Sequence, residues 1–148
     1  MKAKNTKGFI FYRGPSVLDG APIVAVATLE SSNAKTGPAG RGNMVQTWII
    51  REDMDPIAAS KAGADSSICG ACTHRHSLGG ACYVNLGQAP RAVFSGVERG
   101  IYPALDIAGS DSDALKAAHL LHGRAVRLGA YGDPAAVPFD AWSQLLDG

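Results

Sequence analysis

The feature that most constrains this chain is the stretch from Ala64 to Gln88, which is dominated by Gly, Ser, Cys, His and Asn and has no sustained hydrophobic periodicity. It holds every cysteine in the sequence, spaced Cys69-x2-Cys72-x9-Cys82, with His74 and His76 between the second and third. Chance would gather them into so short a window only about 2–3% of the time, and an odd number does not make a disulfide framework. A segment without an apolar face needs another restraint to hold a shape. Two thiolates two residues apart can bind one ion from a single turn, and a third from a later loop closes another vertex. Residues 66–88 are therefore expected to form a metal-binding loop, with Cys69, Cys72 and Cys82 as ligands and His74 and His76 as further candidates.

The residue types leave two metals open. Zinc, completed by His74 or His76, would make a closed Cys3His site whose role is structural. A cubane iron–sulfur cluster would use the same three thiolates for three irons and leave the fourth iron open to a substrate or cofactor.

The flanking sequence supplies the scaffold. Gly8–Gly14, Ile23–Leu29 and Met44–Ile50 are apolar, β-branched or aromatic runs that read as strands. Residues 31–43 carry turn chemistry at nearly every position and read as a flexible loop. Asp55 followed by Pro56 is a helix start, with a stop near Gly63; Pro90 opens a second helix that Gly100 ends. A third helix is expected after a cap at Asp111 or Ser112, with Leu115, Ala118, His119 and His122 on one face and Gly123 at its end. A strand at Ala125–Tyr131 and a last helix from about Pro138 to Leu146 follow. Helix, strand, loop and helix in this succession predict one α/β domain over 1–148, with a mostly parallel sheet and flanking helices, open or as a partial barrel.

In such sheets ligands bind beyond the carboxyl ends of strands. Gly129-Ala130-Tyr131-Gly132-Asp133-Pro134 stands at that place, and Gly132 would let a ligand come close to the backbone. Asp133 and Tyr131 are expected to line a pocket above an open iron, with Gly132 beside them and Asn85 and Gln88 as polar neighbours. No residue is assigned a catalytic role.

Composition narrows the partners. A 148-residue chain with 46% hydrophobic and 18% charged residues is a globular domain. A formal net charge of +1 gives no broad electrostatic footprint for nucleic acid. No apolar run approaches the roughly 18 residues of a membrane span, and the stretch after Lys7 is too short for a signal peptide, so a cytoplasmic protein is expected.

Several blocks resemble one family. Ile68-Cys69-Gly70-Ala71-Cys72-Thr73-His74-Arg75, Cys82 to Pro90, Gly100-Ile101-Tyr102-Pro103, Asn33-x-Lys35-Thr36-Gly37, Met44 to Ile49 and Arg127 to Pro138 together are similar to the phage-encoded proteins related to mycobacteriophage gene product eighty-eight. The likeness covers about Ser31 to Trp142. It implies a protein working in the cytoplasm of an infected bacterial host. Members usually run well beyond the Gly-Asp-Pro block, so the likeness implies a short or truncated member; if the family fold is a barrel or larger sheet, a second copy of the chain or a partner would supply the missing strands.

The order of parts is also similar to the radical S-adenosylmethionine enzymes, in which a three-cysteine loop is followed by a helix and by a strand ending in a Gly-Gly-Glu-Pro-like motif. Gly132-Asp133-Pro134 stands in that place, although the cysteine spacing differs. That likeness implies an iron–sulfur cluster, S-adenosylmethionine and radical or redox chemistry. The other expectation is a structural-zinc module that acts as inhibitor or adaptor of a host protein or nucleic acid through Asn33–Asn43 or Arg75.

Overall fold

The computed structural model describes residues 7–29, 44–75, 78–80, 82 and 86–146. Continuous apolar runs become the middle of a sheet: β1 (Gly8–Pro15), β2 (Pro22–Thr28), β3 (Val45–Arg51) and β4 (Val126–Tyr131) lie side by side in the order β1-β2-β3-β4. Ile23 to Ala27 of β2 are fully buried, as expected of a strand covered on both faces. Val45, Ile49 and Ile50 of β3 extend the same core. Burying each such Val or Ile stabilises the fold by about 1.5–3 kcal/mol.

The pairing corrects the expected mostly parallel sheet. β1–β2 and β2–β3 are antiparallel, and only β3–β4 is parallel. The physical reason lies in the connections. The link at 16–21 is too short for a crossover and closes as a hairpin, whereas among the described residues the helices all fall between β3 and β4 or after them. The sheet is also open: β1 and β4 are its two edges, so the partial barrel is not formed. Pro103 to Leu105 covers part of the β1 edge, with the Ile10 amide donating to the Pro103 carbonyl (2.8 Å) and the Leu105 amide to the Ile10 carbonyl (3.0 Å).

Helices form where their caps predict them. In α1 (Pro56–Lys61) the Asp55 carboxylate accepts from the Ala58 amide at 2.9 Å, and Pro56 occupies the first turn. A four-residue helix, α2 (Ser66–Cys69), follows inside the cysteine stretch. α3 (Ala89–Glu98) turns Pro90, Val93, Phe94 and Val97 inward, the i, i+3, i+4, i+7 face of an amphipathic helix. α4 (Asp111–Leu121) is capped by Ser110, whose hydroxyl accepts from the Asp113 amide at 3.3 Å. The cap thus falls one residue before Asp111, and the buried residue of α4 is Ala117, while Leu115 is 72% exposed. A 3₁₀ helix (Pro134–Ala136) leads to α5 (Phe139–Leu146), which sets the Trp142 ring 5.1 Å from that of Phe11.

The expected flexible loop at 31–43 lies outside the described residues. No helix is long and apolar enough to cross a membrane among the described residues.

Candidate functional site

The site is built on α2, which three neighbours hold at one end of the sheet. The Ser16 hydroxyl donates to the Ser67 carbonyl at 2.6 Å, from the β1–β2 turn. The Asp133 amide donates to the Ile68 carbonyl at 2.5 Å, from the segment after β4. Arg51 at the end of β3 donates from Nη1 to the Ser67 hydroxyl at 3.0 Å, and that hydroxyl donates to Asp19 Oδ2 at 2.6 Å. The Asp19 carboxyl is held below the ordinary carboxylate range, chiefly by the Ser67 hydrogen bond. The Arg51 guanidinium is held above its ordinary value, chiefly by its hydrogen bonds to Asp53.

Cys69 is the last residue of α2. Gly70 follows at φ 61° and ψ −138°, the first central residue of a type II′ turn, and the Cys72 amide closes that turn on the Cys69 carbonyl at 3.4 Å. The chain then doubles back: the Gly80 amide donates to the Arg75 carbonyl (3.0 Å) and the Cys82 amide to the His74 carbonyl (2.9 Å). The third cysteine thereby returns to the side of the first two. Cys72 and His74 are exposed, whereas Cys69 and Cys82 are partly buried.

A buried ion pair fixes the turn to the helix. Arg75 Nη1 lies 3.2 Å from Asp65 Oδ1, with Asp65 only 3% exposed, and Arg75 Nε donates to the Cys72 carbonyl at 3.3 Å. Around this pair the anionic groups gather. Burial, then the charges of Asp65, Cys72 and Cys82, push the Cys69 thiol up to about 12, against the opposing pull of Arg75. The buried Tyr131 hydroxyl is raised as well, by burial first and then by Cys69, Asp65 and Cys82. At neutral pH Cys69 is a neutral thiol in a neighbourhood crowded with potential negative charge.

The sequence-derived site is brought together in part. Cys69, Cys72, Cys82 and Tyr131 share one neighbourhood. Asp133 is engaged elsewhere, its carboxylate accepting from the Ala135 amide at 2.9 Å as the cap of the 3₁₀ helix. At Gly132 the space for an approaching ligand is taken by the protein itself, since an added Cβ would stand 2.8 Å from Ile49 Cβ. Gln88 is exposed before α3, and its side chain makes no capping hydrogen bond there. His76 and Asn85 lie outside the described residues. Arg75, expected as a surface for a partner, is committed to Asp65.

One expectation is corrected. Among the described residues no group of three or more His, Cys, Asp or Glu side chains is arranged to hold a metal ion, so the cysteine loop does not enter the fold as a formed metal site. The described part of the loop is held by the Cys69–Cys72 turn and the Asp65–Arg75 pair. Sequence reasoning missed α2, Asp65, and the Asp19–Ser67–Arg51 network. A four-residue helix with Ile68 as its one buried large apolar residue is too short to show a period. No protein-family model, curated protein or solved structure matches the chain.

Proposed function

We propose that the protein binds one zinc ion through Cys69, Cys72 and Cys82, and that the ion orders the 66–88 loop as a docking module for a partner protein. The observation that carries this reading is the return of the chain at Cys82, whose amide donates a hydrogen bond to the His74 carbonyl and whose side chain is near enough to Cys69 for its charge to act on that thiol. The ion completes the arrangement by drawing the side chains inward as the thiols lose their protons. Exposed His74 or a water supplies the fourth position.

Zinc is favoured over an iron–sulfur cluster with an open iron because the neighbouring edge is already filled. Asp133 is spent on a cap, Gly132 is packed against Ile49, and Tyr131 is buried, so these residues do not offer a cofactor pocket. The near-neutral net charge favours a protein partner over nucleic acid. The resemblance of about Ser31 to Trp142 to phage-encoded proteins supports a host protein in the bacterial cytoplasm as that partner.

Zinc titration of the full chain under reducing, anaerobic conditions tests the reading. One zinc per chain is expected for the wild type, with proton release, and a lost site in Cys82→Ser. Equal stoichiometry and affinity in the two proteins would overturn it.

A further inference from the structure

We infer that Cys69 and Cys72 form a reversible intramolecular disulfide, which makes this turn a thiol redox site. The two residues are the ends of one β-turn, closed by the Cys72 amide on the Cys69 carbonyl at 3.4 Å, and the ends of such a turn have Cα atoms less than about 7 Å apart. A disulfide spans Cα separations of about 4.4–6.8 Å, so the backbone need not move far to accept one. Gly70 at φ 61° supplies the conformation that holds the turn without strain. Cys82 belongs to a different arm of the loop, tied to His74.

Exposure assigns the order of events. Cys72 is exposed and meets a small oxidant first; Cys69 is partly buried and resolves. With oxidised glutathione as oxidant, the Cys72 thiolate attacks one glutathione sulfur, the glutathione S–S bond breaks, and one glutathione thiolate leaves and takes up a proton. Cys69 then attacks the Cys72 sulfur, giving up its thiol proton to the leaving glutathione sulfur, so that the mixed disulfide breaks and the second glutathione leaves as a thiol. Two protein thiols lose two electrons and two protons, and one glutathione disulfide becomes two thiols. The couple uses two of the proposed zinc ligands but does not depend on zinc.

The full chain, held with a chelator in buffers of varied oxidised and reduced glutathione, is read by intact mass and by mapping of alkylated peptides. The expected result is loss of two hydrogens with a Cys69–Cys72 link, reversed by dithiothreitol, retained in Cys82→Ser and absent in Cys72→Ser. A stable glutathione adduct on Cys72 without the internal link, or a link made mainly through Cys82, would overturn the inference. The wild-type map and Cys82→Ser decide the matter even if Cys72→Ser fails to fold. Failure to bind zinc leaves this result untouched, so the two readings fall separately.

Discussion

Replacing Thr47 by valine removes one oxygen that serves two backbone groups of the neighbouring strand. Thr47 is fully buried in β3, and its hydroxyl donates to the Arg127 carbonyl at 2.7 Å and accepts from the Gly129 amide at 2.8 Å. This is the point at which the β3–β4 register shifts, between Gln46 and Trp48, so the hydroxyl bonds replace ladder bonds that the irregularity takes away. Valine keeps the shape and orphans both partners. Each orphaned group costs about 1–3 kcal/mol, and partial rescue by water at the β4 edge sets the expected loss at about 2–4 kcal/mol. In urea this moves the unfolding midpoint down by roughly 1–2 M for an ordinary denaturant dependence. Thr47→Ser, which keeps the oxygen, should retain most of the stability. A loss below about 0.5 kcal/mol in Thr47→Val would refute the claim that this hydroxyl joins the parallel pair.

Ser67→Ala should cost about 1–2 kcal/mol, a fall of roughly 2–8 °C in melting temperature, because the hydroxyl bridges Arg51 and the exposed Asp19. The same variant carries a pH signature. The folded Asp19 carboxyl sits below its ordinary 3.8, so its stabilisation is present above that value and lost as pH falls through the folded one. Thermal melts from pH 6 downward should show a shallower acid loss in Ser67→Ala than in the wild type; parallel curves contradict the assignment. Gly132→Ala should destabilise by about 2–4 kcal/mol, since φ is 90° there and the new methyl meets Ile49. An unchanged urea midpoint would mean that the edge is open after all.

How much of this was legible depends on the length over which a signal repeats. The strands at 8–15, 22–28 and 45–51 are readable because each carries an apolar, β-branched or aromatic run, and α1 is readable because Asp55 and Pro56 form a cap with a physical mechanism. Strand direction is not. The late helix–strand–helix order suggests parallel pairing, but pairing follows each connection, and the short link at 16–21 dictates a hairpin. At the site, the cysteines announced themselves by spacing and do share a neighbourhood. What holds them was hidden, because the Asp65–Arg75 pair and the Asp19–Ser67–Arg51 bridge join residues that no periodic pattern relates. The Gly-Asp-Pro block does follow a strand, yet its carboxylate caps the next turn, a role that such residues fill by simple local hydrogen bonding.

Metal analysis of the full chain, purified anaerobically and accompanied by a visible absorption spectrum, decides whether Cys69, Cys72 and Cys82 hold a zinc ion. One zinc per chain and a colourless protein are expected. Iron with labile sulfide and a visible absorption band, or a folded chain that carries no metal and takes up none, would contradict the zinc assignment.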